Sequence, residues 1–236
     1  MSRSNCAQQA PALSAIAAFE ALSPQTIERI EKHCAWRRYE PGEPIVNHLD
    51  QSNNVFFVVS GQLRVSLYSV SGHSIGFCDL KPGDMFGEVA AIDGAPRSAS
   101  VEARTNCLVA SITAEAFLEV VRSEHVVTLA LLRHLAVKIR ELTTRVYEFS
   151  ALPVRNRIQS ELLRLASLAP REGRSANIAG APTHSEIASR TSTHREAVSR
   201  ELSRLSRLGL LERRGRGLLV KDVDCLATMV HDATGE

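Results

Sequence analysis

Gly83-Asp84-Met85-Phe86-Gly87-Glu88-Val89-Ala90-Ala91-Ile92-Asp93-Gly94-Ala95-Pro96-Arg97-Ser98-Ala99 is the stretch on which the reading of this chain turns. Gly87 lets the backbone turn sharply and come close to a bound group. Beyond Glu88, the small or apolar side chains of Val89, Ala90 and Ala91 fit a short helical turn. The first N–H groups of such a turn face an anion. Arg97 is the only cation of the segment, and a guanidinium engages two phosphate oxygens at once. Ser98 places a hydroxyl beside it. Glu88 is wrong for phosphate and right for a sugar hydroxyl. An anion clamp with one carboxylate nearby describes a nucleotide site. The same residues also fit an ordinary surface loop with a solvent-facing arginine.

Around this stretch the chain reads as short strands. Residues 36–109 are rich in Val, Phe and Leu and are punctuated by glycine. Val55-Phe56-Phe57-Val58-Val59 and Leu63-Arg64-Val65-Ser66-Leu67-Tyr68 are strand-like, the second with clean alternation. Ser60-Gly61 between them predicts a hairpin turn. Residues 98–103 and 108–112 resume as strands after the quoted stretch, so a β-roll or barrel is expected. Upstream, Ser23-Pro24 predicts an N-cap and a short helix to about Cys34.

From Thr113 the period becomes helical, and one long helix is expected from about Val126. Leu132, Leu135, Ile139, Leu142, Val146 and Phe149 follow heptad spacing. Arg133, Lys138, Arg140 and Arg145 fall outside that seam. A narrow seam of this kind favours pairing with a second copy over packing on the chain's own sheets. Leu152-Pro153 ends or kinks the helix, and a hinge is expected over 151–155. A helix over 158–168 and a loop over 169–180 follow.

Thr183-His184-Ser185-Glu186 and Thr193-His194-Arg195-Glu196 both fit the T-x-x-E capping box. Two helix starts ten residues apart predict a helix-turn-helix; a generic helical hairpin fits the pattern too. Ile187, Ala188, Val198, Leu202 and Leu205 face the core of that arrangement. Thr193, Arg195, Glu196, Ser199 and Arg200 lie at the start of the second helix, on the face that enters a major groove. Arginine takes both acceptors of guanine, and glutamate accepts from the cytosine amino group. Residues 210–220 read as a β-hairpin wing, with Arg214 and Arg216 at its tip for phosphates. Residues 223–236 read as a C-terminal tail.

Bulk properties agree with a globular protein. The chain has 236 residues, 44% hydrophobic and 23% charged, enough for two ordinary domains. The net charge of +2 hides an asymmetry: residues 1–152 carry 14 Lys/Arg against 16 Asp/Glu, whereas 153–222 carry 14 against 7. A basic segment of this size fits nucleic-acid binding or a merely solvated face. Cys6, Cys34, Cys78, Cys107 and Cys225 are odd in number and scattered, which argues against a disulfide framework. No Cys-x-x-Cys pair exists, so a structural zinc is not expected. No apolar run is long enough to span a membrane. Residues 1–11 read as a short disordered leader rather than a signal peptide, so a cytoplasmic protein is expected. The eight histidines are scattered and no Ser/His/Asp constellation converges, so an enzyme is not expected.

Phe86-Gly87-Glu88 followed by Asp93-Gly94-Ala95-Pro96-Arg97-Ser98-Ala99-Ser100-Val101 closely resembles the phosphate-binding cassette of cyclic-nucleotide-binding domains. Those domains occur in the bacterial CRP/FNR regulators and in the regulatory subunits of cyclic-nucleotide-dependent kinases. Resemblance to the CRP/FNR family extends over residues 13–220. It implies an α+β architecture: a cyclic-nucleotide-binding β-roll over 12–112, a linker and dimerisation helix over 113–152, and a winged helix-turn-helix over 153–222. It implies cAMP as allosteric ligand, with cGMP as rival. Glu88 would hold the ribose hydroxyl, and Arg97 with the backbone of Gly87, Val89 and Ala90 would hold the cyclic phosphate. Ser98 would meet the phosphate or the base edge.

In the catabolite-activator branch a Thr-Ser pair on the long helix selects adenine. Leu142-Thr143 stands there in this chain, with Thr144 next, so one hydroxyl is missing. Arg195-Glu196-x-x-x-Arg200 matches that branch's base-reading residues and implies a palindromic TGTGA-like site, bound by a homodimer that works with RNA polymerase. Some relatives use haem or an iron–sulfur cluster. The intact Phe86-Gly87-Glu88 argues against haem on His73 and Cys78, and the lone Cys6 argues against a cluster. Other relatives regulate without any ligand. Ser192 stands where the motif usually has glycine, and Thr191 and Glu201 replace residues that are usually apolar.

Overall fold

The computed structural model describes residues 12–68 and 74–234. The leader through Pro11, with Cys6, and His73 lie outside them. The chain divides into two compact units, one built from residues up to 67 and 77–138, the other chiefly from Ile139 onward.

In the first unit two 3-10 turns, Ala12–Ala15 and Ala17–Phe19, precede α1 (Pro24–Glu31). The Ser23 side chain caps α1 by accepting from the Thr26 amide. Eight strands follow: β1 (Ala35–Tyr39), β2 (Pro44–Val46), β3 (Val55–Ser60), β4 (Leu63–Tyr68), β5 (Ser74–Leu80), β6 (Met85–Phe86), β7 (Ser100–Ala103) and β8 (Cys107–Ile112). They form two four-stranded sheets, β1-β8-β3-β6 and β2-β7-β4-β5. The hairpin expected at Ser60-Gly61 is corrected by this order. β3 and β4 belong to different sheets, and Gly61, at φ +87°, carries the chain from one to the other. A Cβ there would sit 2.5 Å from the Asn106 carbonyl oxygen, so the crossing needs glycine.

The apolar run at β3 explains why this strand is central. Val55 and Phe57 enter a core shared with Leu13, Phe19, Ile112 and Phe117. Phe56 and Val58 enter a second core, with Val46, Phe86, Val101 and Val109. Both faces are covered, so the strand reads as continuous rather than alternating. Phe19 packs on Phe57 at 5.0 Å, and Phe56 stacks on Phe86 at 4.8 Å. Between β6 and β7 stands α2 (Glu88–Asp93). Then α3 (Ala114–Ser123), capped by Thr113, leads into α4 (His125–Ala151). Val127 and Leu131 bury one face of α4 in the first core. Leu135 lies half-buried beside them, so this member of the expected seam packs on the first core.

In the second unit α5 (Val154–Ser167) begins directly after Pro153, earlier than expected. The segment expected as a loop contains β9 (Arg171–Glu172) and β10 (Ser175–Ile178). These join β11 (Leu211–Arg214) and β12 (Gly217–Val220) in one sheet, β11-β12-β10-β9. Ala176 and Ile178 point into the core, which is the alternation that marks a half-buried strand. α6 (His184–Arg190) and α7 (Arg195–Arg207) precede the wing. Residues 223–234 are not a tail. α8 (Val223–Thr234) packs on α5 and buries Val223 and Leu226 with Ile158 and Leu162.

Among the described residues no helix is long and apolar enough to cross a membrane, and no three His, Cys, Asp or Glu side chains gather as a metal site.

Candidate functional site

Gly87 precedes α2 in the left-handed conformation, at φ +85°. Its Cα faces the Arg97 side chain: an added Cβ would lie 2.5 Å from Nη1 and 2.7 Å from the Asn54 carbonyl oxygen. Gly87→Ala therefore meets both a disfavoured φ and a clash with backbone. It is expected to destabilise the first unit by about 1–3 kcal/mol, which a urea titration measures.

Arg97 is 2% exposed. Its Nη2 donates to the Asn54 carbonyl (2.8 Å), Nη1 to the Gly87 carbonyl (3.1 Å) and Nε to the Ser52 hydroxyl (3.1 Å). The guanidinium also lies over the Phe56 ring at 5.4 Å. Burial pulls its pKa below the ordinary arginine value, against the opposing charges of Asp50 and Glu88. The backbone on either side is pinned too, with the Leu49 amide on the Arg97 carbonyl and the Arg97 amide on the Asp50 carbonyl.

Glu88, 7% exposed, opens α2 with Oε1 3.4 Å from Nε2 of His134 on α4. Val89 and Ser98 are exposed and Ala90 is buried. Gly87, Glu88, Val89, Ala90, Arg97 and Ser98 thus lie in one unit. Thr143 and Thr144 lie on the part of α4 that belongs to the other unit. Both are exposed, and the Thr143 hydroxyl donates to the Ile139 carbonyl at 2.9 Å. His134 escaped the sequence reading. The usable signal was its place on the face of α4 that carries Val127 and Leu131.

The second unit presents the other candidate surface. Thr183 caps α6 with the complete box: its hydroxyl accepts from the Glu186 amide, and Glu186 accepts from the Thr183 amide. The box expected at Thr193 does not form. His194 is the N-cap of α7 and makes no side-chain cap, while the Thr193 amide donates to the Ala188 carbonyl. Ser192 holds the left-handed turn at φ +51°, the conformation glycine would supply.

The two replacements inside the motif have partners. The Thr191 hydroxyl donates to the Ile187 carbonyl, and buried Glu201 accepts from Gln159 at 2.6 Å and from both arms of Arg204 at 2.8 Å. Arg195, Glu196 and Arg200 are exposed on α7. Ser199 is half-buried, with its hydroxyl 2.7 Å from His184 Nδ1. Burial lowers the His184 pKa, and Arg195 and Arg213 lower it further. At the wing tip Arg214 and Arg216 are exposed, Arg214 at 3.6 Å from Glu212.

A buried ionic cluster lies behind α6 and was not visible in the sequence. Glu161, 1% exposed, accepts from Arg190 (3.2 Å), Arg145 (3.2 Å) and Arg164. Arg164 also reaches Glu148 at 2.8 Å, and Arg145 Nη1 donates to the Arg190 carbonyl at 3.0 Å. These bonds fasten the end of α4 to α5 and to the last turn of α6.

Residues 36–124 match the family model for the cyclic nucleotide-binding domain, and residues 156–229 match the Crp-like helix-turn-helix domain. The cyclic AMP receptor protein of Thermus thermophilus is 30% identical over 193 residues, covering 82% of this chain and 87% of that protein. The chain belongs to the CRP/FNR family of transcription regulators. The cAMP-activated global transcriptional regulator Vfr of Pseudomonas aeruginosa, at 27% identity over 82% of this chain and 92% of its own length, is a further CRP-like relative. Among solved structures, a CooA variant from Carboxydothermus hydrogenoformans superposes with a TM-score of 0.76 at 23% identity, covering 86% of this chain and 90% of that one. That similarity establishes the CRP/FNR fold: a nucleotide-binding sheet domain, a long helix and a C-terminal helix-turn-helix.

Proposed function

We propose that this CRP/FNR protein is a cytoplasmic homodimeric regulator that binds a cyclic nucleotide, cAMP in preference to cGMP, and then binds a palindromic TGTGA-like DNA site. The observation that carries the reading is the cassette: Gly87 turned back on buried Arg97, with buried Glu88 one residue on. Arg97 and the backbone of Gly87, Val89 and Ala90 suit a cyclic phosphate, and Glu88 suits the ribose hydroxyl. Ser98 is exposed beside them for the phosphate or the base edge, and Thr143 with Thr144 would meet the base. The relatives from Thermus and Pseudomonas are named for cAMP, which favours that ligand.

Dimerisation is supported by an exposed apolar stripe on α4: Leu132 57%, Ile139 64%, Leu142 53%, Val146 65% and Phe149 39% exposed. At such spacing the stripe suits a second copy of the same helix. DNA binding is assigned to Thr193, Arg195, Glu196, Ser199 and Arg200 on bases and nearby phosphates, and to Arg214 and Arg216 on phosphates. Arg200→Ala is expected to cost about 1–3 kcal/mol on the preferred site and to relax preference at one base pair. Arg216→Ala should weaken all sequences alike and reduce the salt slope by about one. Polarisation titrations on matched and altered duplexes separate the two.

The nucleotide acts by binding more tightly to the DNA-competent state, and the coupling is reciprocal. A polarisation titration of the palindrome with and without cAMP or cGMP tests this; equal DNA affinity in all three conditions would reject it. RNA polymerase is the proposed further partner. One observation favours a second reading, a regulator that needs no ligand: three of the Arg97 bonds go to the protein's own Ser52, Asn54 and Gly87. Calorimetry with both nucleotides distinguishes the readings.

A further inference from the structure

We infer that His134 is a positioning residue of the nucleotide site, holding Glu88 in the orientation that receives the ribose 2′-hydroxyl. The inference rests on the nucleotide reading above and extends it to a residue outside the cassette. Glu88 is a carboxylate at 7% exposure, and a buried carboxylate needs a fixed partner. Arg97, the nearest cation of the cassette, turns three donors to Ser52, Gly87 and Asn54. Within ion-pair distance of Glu88 stands the His134 imidazole, its Nε2 3.4 Å from Oε1.

Local structure explains why His134 stands there. It follows Val127 and Leu131 by seven and three residues, so it shares their inward face of α4, one turn beyond the core. The His134 side chain is about a quarter exposed, and that of Glu88 less than a tenth. With its proton on Nε2, the imidazole at this distance faces one carboxylate oxygen and leaves the other for a hydroxyl donor. In a 3′,5′-cyclic nucleotide the 2′-hydroxyl is the sole free ribose hydroxyl. The contact thus makes α4 a direct neighbour of the group that recognises ribose. The Arg97 guanidinium is the neighbouring cation at this end of the site, and Asp50 acts on it together with Glu88.

The test is calorimetry on the full-length protein with cAMP and with its 2′-deoxy analogue. The proteins are wild type, Glu88→Gln, His134→Leu and His134→Gln. Wild type is expected to prefer cAMP by about tenfold or more, the worth of one hydrogen bond to a charged group. His134→Leu should collapse that preference to about twofold while affinity for the deoxy analogue stays within about twofold of wild type. Glutamine keeps an N–H donor, so His134→Gln should restore most of the preference. A cAMP preference in His134→Leu equal to that of wild type overturns the inference, as does an equal loss of both ligands, which marks a structural role alone. An unchanged preference in Glu88→Gln, or no binding by wild type, overturns the nucleotide reading itself and this inference with it.

Discussion

Arg97→Ala should all but abolish binding of both cAMP and cGMP, a loss of about thirtyfold to several thousandfold. Truncating one member of a buried, hydrogen-bonded charge pair costs roughly 2–5 kcal/mol, and each tenfold is 1.4 kcal/mol. A structural loss accompanies it. The guanidinium also satisfies the carbonyls of Asn54 and Gly87, and each buried acceptor left without a donor costs about 1–3 kcal/mol. The variant is thus expected to be less stable as well as blind to nucleotide. Arg97→Lys separates the effects: it keeps the charge and loses the planar fork, so it should recover part of the affinity. Calorimetry at a temperature where circular dichroism shows the variant folded gives the comparison. Affinity within about threefold of wild type, less than half the free energy of a tenfold change, would remove Arg97 from the site.

The second large effect belongs to Glu161. Glu161→Ala leaves Arg145, Arg164 and Arg190 facing one another around an empty position. Removing one partner from a buried ion pair costs about 3–5 kcal/mol. For a unit of this size each kcal/mol moves the midpoint by about 4–8 °C, so calorimetric scans should show the second unit melting well ahead of the first. Replacing Glu161 with leucine and Arg190 with isoleucine together should cost less than Glu161→Ala alone, because one buried cation goes with the anion. Equal melting of wild type and Glu161→Ala would show that the cluster contributes nothing to the fold. In that case the end of α4 would be held by its apolar contacts.

The cassette was legible because its chemistry is rare in so short a stretch: one glycine, one acid and one arginine at fixed offsets. The turn-helix pair was legible because Thr183 and Glu186 make a reciprocal cap that depends on four consecutive residues alone. What was missed depends on distant residues. Ser60-Gly61 reads as a hairpin turn because the local backbone requirement is the same whether β4 returns beside β3 or passes to the other sheet. Only the pairings with β7 and β8 decide it. Thr193 looked like a second cap, yet the helix starts two residues on, and the Thr193 amide serves the turn instead. Glu161 and Arg190 are charged and on helices, so the pattern places them in solvent. They are buried because each supplies what the other lacks. Val223, Leu226 and Met229 recur at three-residue spacing, but the stretch over 223–236 is short and holds three acids, which makes it read as a tail.

That last helix has a consequence for how the protein comes into being. Ile158 and Leu162 wait for Val223 and Leu226 to close the floor beneath them. These partners are separated by more than sixty positions, so the earlier pair leaves the ribosome well before the later one. Domains form in the order they leave the ribosome. A growing chain therefore carries a finished first unit for some time while the core of its second unit is still open.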